Sequence, residues 1–155
     1  MDKKYLFSIK TSPGNYKVLK EESADKEKVS VLFIKNRGKE SIIYEIILDK
    51  KRDIVKIVYP FLGLRLFSSS ANKSNCFIET PKQLTKFEKL NYPEYSQKYL
   101  TDSSSNITTA WLNLNGKRRN LGYLGSPGPG FVTYQVHKEY IRIISNELGL
   151  EVKEI

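Results

Sequence analysis

One cysteine, one histidine, one tryptophan and no long apolar run: each shortage removes a class of function from this chain. A single thiol, Cys76, closes no internal disulfide, so a disulfide-stapled secreted scaffold and a cysteine-based zinc site are both ruled out within the chain. With His137 as the one imidazole, a His/Cys metal site lacks ligands, and neither a metal nor another cofactor is expected. The longest apolar stretch, residues 54–67, carries Lys56 and Arg65 and falls short of the roughly 18–20 apolar residues of a spanning helix, so no membrane association is expected. The segment Tyr5-Leu6-Phe7-Ser8-Ile9 is too short for a signal-peptide core and is closed by Lys10, which makes a cytoplasmic protein the expectation.

Catalytic constellations are equally sparse, and the expectation is that the chain is not an enzyme. No serine occupies a Gly-x-Ser-x-Gly elbow, and Gly125-Ser126-Pro127-Gly128 fails that pattern by spacing. His137 falls inside the apolar arc of a C-terminal helix and reads as a packing residue; a small enzyme built around it is the third-ranked alternative. Cys76, in Asn75-Cys76-Phe77-Ile78, has no activating neighbour in sequence and reads as a small core hydrophobe. Asp49 and Asp53 bracket three cations and read as a solvated turn rather than an acid–base pair. Gly122, Gly125, Gly128 and Gly130 lead toward a helix N-terminus, but Pro127 and Pro129 remove donors that a phosphate cradle would use.

Against these absences stand a net charge of +9 and a pattern rich in β-branched and aromatic residues. The 155 residues fit one domain, 1–155, with 39% hydrophobic and 28% charged residues, ordinary values for a folded chain. Runs at Tyr5 to Lys10, Tyr16 to Lys20, Val29 to Ile34, Ser41 to Leu48 and Ile54 to Tyr59 predict strands, separated by polar turns such as Ser12-Pro13-Gly14 and Asp49 to Asp53. Ser68 to Asn75 reads as a loop. Thr80-Pro81-Lys82-Gln83 opens a middle helix continued by Leu84, Phe87 and Leu90, with a short helical piece from Pro93 to Leu100. Ile107 to Leu114 and Lys117 to Leu124 flank Asn115-Gly116 as a hairpin. A last helix runs from about Phe131 to Leu148 and stops at Gly149, with Val132, Tyr134, Val136, Tyr140, Ile141, Ile143, Ile144 and Leu148 on one face. The expected fold is α+β: a twisted, mainly antiparallel sheet of about six to eight strands with the C-terminal helix and the middle helix packed on one face.

The charge comes from 20 lysines and 6 arginines, a balance that disfavours base readout, which leans on arginine. Two basic clusters stand out: Lys50-Lys51-Arg52, and Lys117-Arg118-Arg119 inside the hairpin that carries Trp111 and Tyr123. Alternation along a strand puts Lys117 and Arg119 on one side and Arg118 on the other. The segment from Trp111 to Leu124 resembles the last two strands of small three-stranded DNA-binding domains of the integrase-arm type, and the likeness ends at the Gly/Pro segment. That resemblance implies a basic hairpin that reads DNA, with the next helix packed behind it. The leading expectation is different: a non-enzymatic protein-binding module, such as an immunity or inhibitor protein of a bacterial or phage conflict system. A protein partner would be met through the tyrosines Tyr92, Tyr95 and Tyr99, a residue type enriched in interfaces. Nucleic-acid binding through Trp111, Lys117, Arg118, Arg119, Tyr123 and the Lys50-Lys51-Arg52 turn is the alternative.

Overall fold

Runs of β-branched and aromatic residues, closed by short polar turns, let a chain fold back on itself strand by strand. The first half of this chain does so. A computed structural model describes residues 2–10, 15–36, 38–61, 65–80, 107–108, 110–121 and 136–154. Strands β1 (Asp2–Lys10), β2 (Asn15–Glu22), β3 (Lys28–Asn36), β4 (Glu40–Asp49), β5 (Ile54–Phe61) and β6 (Arg65–Asn72) pair in chain order. All five pairings are antiparallel. The turns are held by their own side chains. Asp25 accepts from Ser23 Oγ at 2.6 Å and from Glu27 N at 3.0 Å, which lowers its carboxyl pKa, and Asp49 Oδ1 accepts from Arg52 N at 3.1 Å.

One face of this meander carries Tyr16, Val18, Val29, Val31, Phe33, Tyr44, Ile46, Leu48, Val55 and Ile57, all buried. The opposite face holds a small separate cluster of Leu19, Leu32 and Ile34. The main core is closed by helix α1 (Lys138–Leu148), which turns Tyr140, Ile141, Ile143, Ile144 and Leu148 inward. At the join, the Phe33 ring stacks on Tyr140 (4.7 Å between centroids, 24°) and on Tyr16 (5.4 Å, 18°). A salt bridge of 2.7 Å from Lys20 to Glu147 ties the helix to β2 and raises the lysine pKa. The helix ends in a Schellman arrangement: Gly149 takes φ +63°, Leu150 N donates to Ser145 O at 3.1 Å, and Leu150 is buried.

After β6 a single 3-10 turn, Lys73–Asn75, leads into a second sheet. It contains β7 (Cys76–Thr80), β9 (Trp111–Leu114), β10 (Lys117–Asn120) and β12 (Val152–Glu154), in the order β10-β9-β7-β12, with β12 parallel to β7. Two further short strands, β8 (Ile107–Thr108) and β11 (Val136–His137), pair antiparallel. Cys76, Ile78, Leu112 and Leu114 face the shared core. Tyr44 Oη donates to Leu121 O at 2.6 Å and Tyr59 Oη to Asn120 O at 3.1 Å, so two tyrosines of the meander clasp the end of β10.

Several expectations need correction. The described residues form a six-stranded meander, a four-stranded sheet and a two-stranded ladder rather than one sheet of about six to eight strands, together with the C-terminal helix. Ser68 to Asn75 is not a loop: residues through Asn72 are strand β6, held by the ladder to β5 with Ala71 turned toward the core, and the rest is the 3-10 turn. Pairing with a strongly apolar neighbour overrides the weak β preference of serine. The last helix begins at Lys138 and not near residue 131, because Val136 and His137 pair with Thr108 and Ile107. His137 therefore belongs to a strand and not to the helical arc. The strand expected over 107–114 is broken at Ala110, whose carbonyl accepts from Leu121 N at 3.0 Å, and its partner stops at Asn120. Thr80 ends β7 opposite Glu154, and the helix it is expected to cap falls beyond the described residues. The Ser12-Pro13-Gly14 turn, the middle helix beyond Thr80, the Pro93 to Leu100 piece, the Gly/Pro segment and residues 131–135 lie outside the described residues.

Candidate functional site

The Asn115-Gly116 hairpin is fixed by backbone geometry. Both residues take positive φ (53° and 94°), as a two-residue turn between twisted strands requires, and Asn113 Oδ1 accepts from Gly116 N at 2.7 Å. Alternation then separates the two faces of the second sheet. Its outer face carries Phe77 and Glu79 from β7, Trp111 and Asn113 from β9, Arg118 from β10 and Lys153 from β12. The register sets Phe77 beside Asn113, Glu79 beside Trp111 and Lys153, and Arg118 beside Asn113.

Glu79 is the centre of this face, a carboxylate only 4% exposed. Asn113 Nδ2 donates to its Oε1, and Arg118 Nε lies 2.7 Å from its Oε2. The arginine contact is one of charge, since Oε2 accepts no well-directed hydrogen bond. Arg118 also lies over Trp111, 5.2 Å from the ring centroid, and Lys153 Nζ sits 4.2 Å above the Phe77 ring. Two aromatic–cation stacks thus flank a buried carboxylate. The sequence points to Trp111 and Arg118 on this face but not to Glu79, Phe77, Asn113 or Lys153. The available signal was the matching alternation of Phe77-Ile78-Glu79 and Trp111-Leu112-Asn113, which marks two strands sharing an outer face.

Lys117 and Arg119 point to the other side, toward β6. Arg119 Nε donates to Ser69 Oγ at 2.9 Å, which bridges the hairpin to the meander. Burial pushes the Tyr59 hydroxyl pKa up to about 12, with Arg119 pulling weakly the other way. Lys117 is exposed and borders an open cleft of about 440 Å³ between the β6 edge and the hairpin turn. Its lining residues include Ile54, Asn72, Asn75 and Asn115 and the core-facing Ala71 and Leu114, of which Leu114 is only 2% exposed. None of the described residues lining the cleft carries a carboxylate.

The exposed Lys50-Lys51-Arg52 turn meets the hairpin turn at one end of the molecule. Lys73 N donates to Asp53 O at 2.8 Å, and Asn115 N donates to Asn75 O at 2.9 Å, so the 3-10 turn links the two basic segments. The three cations of the hairpin are divided between two faces, and Trp111 shares its face with Arg118 alone. Cys76 is buried, and its thiol lies within 3.1 Å of Asn72 O; burial pushes its pKa up to about 11. Such a thiol is poorly suited to nucleophilic work at neutral pH. Tyr123, the interface tyrosines Tyr92, Tyr95 and Tyr99, and the side chain of His137 lie outside the described residues. No cluster of metal-ligating side chains occurs among the described residues, and no described helix is long and apolar enough to cross a membrane. Comparison with known protein families, curated proteins and solved structures found no match for this chain.

Proposed function

We propose that this chain is a non-enzymatic protein-binding module, of the immunity or inhibitor kind that serves bacterial or phage conflict systems. The supporting observation is the outer face of the second sheet. Tryptophan, arginine and phenylalanine are residue types that concentrate binding energy at interfaces, and here they stand together on one side of a sheet. Glu79, itself held by Asn113, lies against the arginine and limits the side-chain freedom lost when a partner docks. A face of this kind suits a partner surface with acidic groups at its rim, which would meet Arg118 and Lys153. The test is affinity capture from source lysate with the wild-type chain and with a Trp111→Ala/Phe77→Ala variant shown to be folded by circular dichroism. A stoichiometric protein held by the wild type and lost by the variant is the expected result. Recovery of no stoichiometric protein sinks the proposal.

A second function, nucleic-acid binding, draws on the meeting of Lys50-Lys51-Arg52 with the Lys117 turn at one end of the molecule. Asp49 and Asp53 in the same turn dilute that field, and Arg118 and Arg119 are engaged by Glu79 and Ser69. If phosphates are bound there, log affinity falls with log salt by roughly 0.9 per contact on duplex DNA, and a Lys50→Gln/Lys51→Gln/Lys117→Gln variant flattens the slope. Absence of a mobility shift at low salt rejects this function.

A further inference from the structure

We infer that the outer face of the second sheet takes its partner by a carboxylate, an aspartate or glutamate side chain bound by Arg118 beside an apolar side chain lodged on Trp111. This rests on the protein-binding reading and narrows it to an acidic segment of the partner. Arg118 Nε lies 2.7 Å from Glu79 Oε2, and the arginine side chain is still 51% exposed. Glu79 thus engages the Nε side of the guanidinium and leaves the terminal NH₂ pair, a second planar fork, for another carboxylate. The fork is steadied from two sides. Glu79 is itself held by Asn113, and the guanidinium lies 5.2 Å from the centre of the Trp111 ring. An anion arriving there meets donors whose orientation is already set.

Burial decides which charge the face accepts. The Glu79 carboxylate is 4% exposed and engaged by Arg118 and Asn113, so it offers no seat to a cationic group of a partner. Arg118 is exposed, and Lys117 and Arg119 on either side of it in β10 add positive charge at that end. The opposite end is mixed: Lys153 lies over Phe77, but the exposed Glu151 stands two positions before it. Selection by charge therefore falls to Arg118. The buried carboxylate also favours a singly charged ligand over a phosphate, because repulsion between two anions on one guanidinium grows with the charge of the second. Trp111 and Phe77 are half-buried and lie diagonally across β9 and β7, so the strip beside the fork is apolar. A carboxylate close to a large apolar side chain answers both features.

The experiment selects from a displayed library of short random peptides on the immobilised full chain, after depletion on the folded Trp111→Ala/Phe77→Ala variant. What survives depletion binds this face. Enrichment of Asp or Glu beside an aromatic or large aliphatic residue is the expected result. The most enriched peptide is then synthesised, and its binding to the wild-type chain is measured by fluorescence anisotropy. Replacing its acid by the matching amide should weaken it about tenfold, the loss expected when one charge-assisted contact is missing. Arg118→Lys keeps the charge but not the fork; it should weaken the acidic peptide by a similar factor and the amide analogue little. Phosphoserine in place of the acid should bind no more tightly. The inference is overturned by enrichment of acid-free or basic peptides, by recovery of no peptide, or by equal binding of the amide analogue. Indifference to Arg118→Lys, tighter binding of the phosphoserine peptide, or displacement of the peptide by a short oligothymidylate would overturn it as well. Acid-free peptides held by this face would leave the protein-binding reading standing, whereas an empty lysate capture defeats that reading whatever the library yields.

Discussion

The meander and the four-stranded sheet are held by different physics. In the meander, strands of eight to ten residues repeat an apolar face that is filled by aliphatic side chains and by rings, with Phe33 between Tyr16 and Tyr140. The second sheet has strands of three to five residues, and only its inner face joins that core. Its outer face is fixed by a carboxylate, an amide, an arginine and a tight turn. Long amphipathic strands obtain their register from burial, because a slip by one residue would expose every core side chain. Short strands bury too little for that, and directional polar contacts do the work instead. The same polar contacts leave aromatic and cationic groups at the surface, which is where binding is proposed.

Truncation of the ring stack tests the first half of this contrast and carries the largest expected effect. Phe33→Ala removes a side chain that is 2% exposed and touches Tyr16, Tyr44 and Tyr140. The loss should be about 3–5 kcal/mol, read from urea unfolding, and the helix and both sheets should unfold at the same lower midpoint. A loss below about 1 kcal/mol would mean that the core is not organised around the stack.

The second half is tested at Glu79. Arg118→Ala leaves a carboxylate buried with Asn113 as its remaining described partner and should cost about 2 kcal/mol. Glu79→Gln should cost less, about 1 kcal/mol, because Arg118 is half exposed and returns to water. Hydrogen exchange separates this from a global effect: protection should fall at residues 111–120 while amides of β3 and β4 keep theirs. Equal losses in both sheets would remove the distinction between them.

The junction of the two regions gives a smaller effect. Gly149 has φ +63°, and a Cβ there would come within 3.0 Å of Lys73 Nζ. Gly149→Ala should cost about 1 kcal/mol, mostly from the backbone, since the lysine end can move aside. A neutral result in thermal unfolding would show that the turn after α1 relaxes into another conformation.

The same contrast explains how much could be read in advance. Strands β2 to β5 were legible because Val29 to Ile34 or Ser41 to Leu48 announce themselves by residue type, and their turns by Asp, Lys and Gly. The buried face of α1 was legible from its spacing, and Asn115-Gly116 predicted its own turn. Strand β6 was not legible: Ser68-Ser69-Ser70 has no intrinsic preference for a strand and acquires one from β5 alongside. The start of α1 was missed because Val136 suits a helical face as well as a two-residue ladder with Thr108. At the candidate sites, sequence placed Trp111, Lys117 and Arg118 in one basic hairpin, but Glu79 lies 34 positions from Asn113, and no local pattern joins them. The cleft is likewise a product of topology, since Ile54, Asn72 and Asn115 come from three separate segments.

The mildest test falls on the face of the meander turned away from the helix. Burial is the main cause that raises the Glu45 carboxyl above its ordinary value; Glu21 adds to it, while a bond from Ser30 and the charge of Lys56 oppose it. A carboxylate whose folded pKa is raised favours folding while it is protonated in both states. That contribution is fully present below the unfolded value, about 4.3, and is lost as pH rises through the higher folded value. At neutral pH the ionised group therefore strains the fold slightly, and Glu45→Gln should melt somewhat above the wild type. At about pH 4 and below the difference should close, because both side chains are then uncharged. Thermal midpoints of the two proteins across this range decide the point. A variant that melts lower at neutral pH would show that Ser30 and Lys56 outweigh burial, and that this face of the meander, like the outer face of the second sheet, is held by its polar contacts.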